Sequence, residues 1–188
     1  MRLSTSTNIC AFTATRERLP VYFCIDTCAE AGYRALDINW CMAMNPDSPL
    51  RGDGWRKEVE KIGEYAASRG VAFSQSHLPY ADWFSDALAP EIAAFTESLI
   101  DRCLAASSML SVPWAVMHPG VPRDETDFTR RNLEFLSPRV ETAARLNVGV
   151  ALENIETPAR GALRTAPDPS IARLAALLPK LLRLAEIE

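Results

Sequence analysis

The chain has 188 residues, of which 48% are hydrophobic and 23% charged, so it fits one soluble globular domain and excludes a long disordered or fibrous protein. Its net charge of −4 implies no basic face, which argues against nucleic acid as the main partner. No apolar run approaches the roughly 20 residues of a membrane span, and the five cysteines form no disulfide framework, so we expect a cytoplasmic protein without membrane contact.

Five short strands are predicted in chain order, at about residues 3–9, 35–38, 71–76, 114–117 and 148–152. The starts of successive strands are separated by about the length of a βα unit. Three of the strands directly follow an alanine-rich helical segment that ends at Gly32, Gly70 or Asn147. Glycine and asparagine suit the left-handed position that terminates a helix.

Between the strands, apolar residues recur at helical spacing. These stripes predict helix faces in the core, and their members are Trp55, Val59 and Ile62, then Ile92, Phe95, Leu99 and Cys103, then Phe128, Phe135, Leu136, Val140 and Ala143. Alternating strands and helices predict an α/β protein with a parallel sheet. Two architectures fit this pattern, an open doubly wound sheet and a (β/α)8 barrel of the TIM type. No glycine-rich phosphate motif follows the first strand, which weakens the nucleotide-binding interpretation.

Reactive side chains at the carboxyl ends of the strands favour the barrel. Both histidines of the chain, His77 and His118, follow predicted strands, and Glu153 follows another. Barrel enzymes build their active sites at this face. A lone histidine is more often structural, and a glutamate at a strand end can simply meet solvent, but equivalent positions on successive strands favour a site.

Three further residue groups have open interpretations. Asp37 belongs to the pocket in one interpretation, and caps a loop or pairs with an arginine in the other. Trp40 either lines a pocket or covers the mouth of the barrel. Cys24 and Cys28 lie one helical turn apart without histidine or further cysteine nearby, so buried small side chains are favoured over a zinc site.

The segments FSQSHLPY, VMHPG and ALENIE, in this order and spacing, resemble the xylose isomerase-like barrel superfamily. LDINW, followed by a long loop and WRKEVEKI, resembles its sugar-phosphate isomerase and epimerase branch. The resemblance implies a divalent metal (Mn, Mg, Co or Zn) at the mouth, with Glu153 as a ligand and as the group next to the proton that moves. It implies that His77 and His118 contact substrate, as in isomerases, or bind metal, as in endonuclease IV. Asn154, Trp40 and Asp37 are then expected to shape the substrate pocket.

The chain departs from that family pattern after the fifth strand. No histidine follows His118, and nothing after Glu156 resembles strands six to eight, which supply an Asp, a His and a second Glu in the family. We therefore expect a partial barrel domain of about five βα units over residues 1–157 and an atypical helical tail over 158–188, with Pro179 kinking or breaking its helix. A C-terminally truncated barrel is the preferred interpretation and a diverged tail the alternative. Open parallel edges would favour a homo-oligomer.

Three functions remain open. The first is a metal-dependent sugar or sugar-phosphate isomerase or epimerase of carbohydrate metabolism, which moves a proton through a metal-stabilised enediolate. The second is a non-catalytic barrel fragment, in which the metal is not retained, that binds a small ligand or a partner. The third is an endonuclease IV-like phosphodiesterase, against which the two histidines and the net charge of −4 count. The loop 39–53 is either a lid over the mouth or an ordinary surface excursion.

Overall fold

The computed structural model describes residues 3–120, 127–153, 177–179 and 181. Strands and helices alternate along these residues. They are β1 (Ser4–Ser6), α1 (Val21–Glu30), β2 (Ala35–Asn39), α2 (Trp55–Ser68), β3 (Ala72–His77), α3 (Pro90–Met109), β4 (Trp114–Met117), α4 (Phe128–Arg145) and β5 (Gly149–Leu152).

The five strands form one sheet in the order β1-β2-β3-β4-β5, and every neighbouring pair is parallel. Each strand is joined to the next by a segment that contains a helix. This sequential order of βα units is that of an incomplete (β/α)8 barrel, which confirms the predicted fold class. All five predicted strands are present, although β1 is shorter than its predicted range.

The helix ends explain why the strands begin where they do. Gly32, Gly70 and Asn147 have positive φ angles of 92°, 67° and 56°, as the sequence predicts. One residue later, the backbone N–H bonds back to the helix, as Val71 does to the Ala66 carbonyl at 2.9 Å. The chain therefore leaves each helix in a fixed direction and enters the next strand at once.

The core lies where the helices pack on the sheet. Leu36 and Ile38 of β2 are fully buried, as are Val59 and Ile62 of the predicted α2 stripe. Burying each such side chain contributes about 1.5–3 kcal/mol. The prediction for Ile92 is wrong: it lies in the first turn of α3 and is 46% exposed. No helix in the described part of the chain is both long and apolar enough to span a membrane.

The segment after β2 is packed rather than free. It forms two 3-10 turns, Trp40–Met44 and Pro49–Arg51, and buries Ala43 and Leu50 in the core. Arg102 of α3 donates to the Leu50 carbonyl at 2.9 Å. The contacts do not support the interpretation of residues 39–53 as a lid.

Four residues of the predicted tail over 158–188 belong to the described part of the chain. Residues 177–179 and 181 are helical, with Leu177 and Leu181 buried. The remainder of the predicted tail lies outside the described residues.

Candidate active site

Strand register brings three reactive side chains to one edge of the sheet. His77 at the end of β3 lies opposite Val116 of β4, and Met117 of β4 lies opposite Leu152 of β5. The backbone N–H of Glu153 donates to the Met117 carbonyl at 3.0 Å, which extends the parallel ladder by one residue. His77, His118 and Glu153 therefore all stand at the carboxyl ends of adjacent strands.

The three side chains converge. His77 Nε2 is 2.9 Å from Glu153 Oε2, and His118 Nε2 is 3.7 Å from the same oxygen. One ligand atom from each residue lies within 4.8 Å of the other two. Glu153 is 47% exposed, so this cluster opens to solvent rather than being sealed in the core.

Asp37 completes the support of His77 from β2. Its buried Oδ2 contacts His77 Nδ1 at 2.7 Å and accepts a hydrogen bond from Gln75 Nε2 at 3.1 Å. A register shift between β2 and β3 produces this arrangement, because Leu36 pairs with Phe73 and Asp37 pairs with Gln75. The extra residue in β3 places Gln75 opposite Asp37, which is how a β-bulge re-aims side chains.

The two histidines have opposite charge preferences. The hydrogen bond to Asp37, aided by one to Glu153, raises the pKa of His77 from 6.5 to about 9, against the effect of burial. Burial lowers the pKa of His118, although Glu153 partly offsets this. At neutral pH without metal, His77 is therefore an imidazolium between two carboxylates, and His118 is neutral.

The loop that carries His118 is fixed by Asn132, a residue that the sequence does not predict for the site. Asn132 of α4 is 0% exposed; its Oδ1 accepts from the Gly120 N–H at 2.8 Å, and its Nδ2 donates to the Gly120 carbonyl at 2.9 Å. Tyr80 packs edge-on against the His118 ring with centroids 5.2 Å apart. Asn132 is a polar residue at helical spacing within the apolar stripe of α4, and that position was the sequence signal that could have identified it.

The remaining predicted site residues are placed differently. Trp40 is buried, and its indole Nε1 donates to Ser107 Oγ at 3.0 Å. It does not contact His77, His118 or Glu153 through any hydrogen bond or ring contact in the described part of the chain. Asn154 lies outside the described residues. Substrate contacts by Trp40, Asp37 and Asn154 therefore stay predictions.

Residues 25–180 match the sequence model of the xylose isomerase-like TIM barrel. The chain belongs to this family. No curated protein matches the chain.

Solved structures share the fold of this family member. A D-psicose 3-epimerase crystallised with D-fructose superposes with a TM-score of 0.66 at 12% identity, over 96% of this chain and 60% of its own. The E. coli 3-keto-D-glucoside 4-epimerase gives 0.64 at 16% identity, over 96% and 64%. An AP endonuclease of family 2 from Brucella melitensis gives 0.61 at 14%, over 94% and 64%. The chain thus spans about 60% of the length of these structures, and the likeness is one of fold.

The family resemblance implies a divalent metal, and the donor atoms of this chain fit one. Two imidazole nitrogens and a carboxylate oxygen suit Zn, Co or Mn. Ligands about 2.1 Å from a tetrahedral ion lie about 3.4 Å apart, and the distances of the two histidine nitrogens from Glu153 Oε2, 2.9 and 3.7 Å, bracket that value. The contact between His77 Nδ1 and Asp37 also orients its Nε2 toward the cluster, which is the usual support of a metal-binding histidine.

Proposed function

We propose that this chain acts on a small sugar or sugar phosphate as a metal-dependent isomerase or epimerase. The observation that carries the proposal is the convergence of His77, His118 and Glu153 at the carboxyl ends of β3, β4 and β5. The fold shared with two sugar epimerases supports the substrate class. His77, His118 and Glu153 would hold the cation, which is Mn, Mg, Co or Zn.

Glu153 is proposed to transfer the proton. A bound divalent cation supplies positive charge that stabilises negative charge developing on substrate oxygens. The half-exposed Glu153 carboxylate is open to a substrate entering from the mouth, so it would take a proton from the carbon next to a carbonyl and deliver it to the former carbonyl carbon, which gives the isomer; an epimer would require a second proton donor on the opposite face. His77 would have to lose one ring proton to serve as a ligand, and its contact with Asp37 would keep the ring in place.

A non-catalytic role is the second candidate. It is favoured by the count of three ligand residues in the described part of the chain, because the family pattern has further ligands. In that case the cluster would bind a metal or a sugar without moving a proton. An endonuclease-like activity has less support, since the net charge of −4 offers no basic face for DNA.

Proton exchange separates these candidates. The chain with Mn²⁺ in D₂O is incubated with ketoses and their phosphates, and deuterium at the carbons beside the carbonyl is measured by NMR. We expect exchange with at least one ketose, lost in Glu153→Gln and retained in Glu141→Gln, which changes an exposed carboxylate on α4. Ligand-induced NMR shifts without exchange would support the binding role. The absence of both exchange and shifts would contradict both candidate functions.

A further inference from the structure

A cavity of about 330 Å³ lies beside β2. It is bounded by the segment between β1 and α1, the segment after β2, and the first half of α2. His77, His118 and Glu153 are not among the described residues that line this cavity, although Asn39, which does line it, pairs with His77 in the sheet. Its apolar lining includes Leu19, Ile38, Trp40, Ala43, Leu50 and Ile62.

The walls of this cavity suit a flat apolar ligand. Trp40 already donates its N–H to Ser107, so it offers the cavity ring surface rather than a hydrogen bond. Met42 and Tyr22 also line it. Aromatic faces and thioethers favour aromatic partners, by about 0.3–1.5 kcal/mol per contact.

Each charged group of the lining already has a partner of opposite charge: Arg18 pairs with Asp47, and Glu58 pairs with Lys61 Nζ at 3.5 Å. Arg18 Nη2 lies 2.6 Å from Asp47 Oδ2, and Tyr22 donates its hydroxyl to Glu58 Oε1 at 2.7 Å. A ligand therefore has no unbalanced charge to neutralise, which favours a neutral molecule. A carboxylate has about four acceptor positions, so Glu58 can accept one further hydrogen bond from a ligand N–H or O–H.

The Arg18–Asp47 pair joins two of the bounding segments. Arg18 belongs to a short hairpin bridged to Phe12, and Asp47 belongs to the segment after β2. Their side chains are 26% and 66% exposed, and surface ion pairs of this kind contribute only about 0–1 kcal/mol. This solvent-facing pair is therefore weak, and a ligand that displaces it on entering the cavity loses little.

We propose that this cavity binds a small, neutral, bicyclic aromatic molecule with one hydrogen-bond donor directed at Glu58. Its volume is about twice that of a 150 Å³ cavity that holds benzene, which leaves room for two fused rings. This site is independent of the metal cluster and of the proposed enzymatic function.

Indole is the probe for the test. Calorimetry and NMR should show saturable binding of one indole per chain, with a shift of the Trp40 Nε1–H signal and NOEs to Ile38 and Ile62 methyl groups. Ala43→Leu fills the cavity and should weaken binding at least tenfold, whereas Ala67→Leu on the exposed face of α2 should not. The variant Glu153→Gln should bind indole like the original chain.

The donor contact has its own test. We expect 1-methylindole, which lacks the N–H, to bind at least threefold more weakly than indole. Unsaturable binding of indole, or equal affinity in a folded Ala43→Leu, would overturn the proposal. If Ala43→Leu does not fold by circular dichroism, the NOEs in the original chain decide: their absence from Ile38 and Ile62 overturns it.

Discussion

Replacing Asp37 with asparagine tests the electrostatic support of His77. Asparagine keeps the size of the side chain and one acceptor oxygen but removes the negative charge beside His77 Nδ1. Asp37 Oδ1 is buried without a hydrogen-bond partner among the described residues, so the new amide can also be left unpaired there. An unpaired buried amide costs about 1–3 kcal/mol at every pH, whereas the cost of losing the negative charge depends on pH.

The pH-dependent part can be worked from the pKa of His77. A rise from 6.5 to about 9 corresponds to roughly 3 kcal/mol of stability. Because the folded pKa is raised, this contribution is complete below pH 6.5 and is lost as the pH rises through about 9. Asp37 is the largest cause, and solvent screens the share of the half-exposed Glu153, so Asp37→Asn should remove roughly 2 kcal/mol of the total.

Urea unfolding of the metal-free chain between pH 6 and 8.5 measures this difference. We expect the free energy of unfolding to be lower in Asp37→Asn, with a gap that narrows by at least 1 kcal/mol as the pH rises. Buried thiols with raised pKa values, such as those of Cys24 and Cys28, are common to both proteins, and their effect cancels in the comparison. A gap that stays constant with pH would refute the charge-based role of Asp37.

Three further predictions concern the core and the histidines. Leu36→Ala in the centre of β2 should lower the free energy of unfolding by about 2–5 kcal/mol in urea; a loss below 1 kcal/mol would mean that this site is not tightly packed. Gly120→Ala places a Cβ 2.6 Å from the ring of Phe84 and should cost about 1–3 kcal/mol, seen as a lower Tm; an unchanged Tm would show that the ring yields freely. In the metal-free chain, NMR titration should give a pKa for His118 below 6.5 and one for His77 near 9; the reverse order would contradict the hydrogen-bond assignment.

Helix ends were the most predictable part of the fold. Gly32, Gly70 and Asn147 mark left-handed termini that few other residue types tolerate, so each could be identified without tertiary information. The end of α3 uses the same geometry at Ser111, with φ 54°, and could not be identified this way because serine is not typical of that position. Ile92 was misplaced because helical spacing shows which residues share a face, but not where along the helix that face leaves the core.

The candidate site was only partly predictable. Strand-end positions bring His77, His118 and Glu153 to one edge, because parallel strands in register share that edge. The bulge that turns Gln75 toward Asp37 leaves no mark in the sequence, so the support of His77 depends on a register that only the folded sheet defines. Asn132 likewise acts through contacts with a loop 12 residues away.

Metal binding tests the central claim most directly. The chain is stripped with chelator, titrated with Mn²⁺, Co²⁺ and Zn²⁺ at pH 7.5, and examined by calorimetry and native mass spectrometry beside Glu153→Gln and the surface control Glu141→Gln. We predict one bound ion in the original chain and in Glu141→Gln, with proton release from His77, and affinity at least tenfold weaker in Glu153→Gln. Absence of a stoichiometric ion, or equal binding by Glu153→Gln, would contradict a metal site formed by His77, His118 and Glu153.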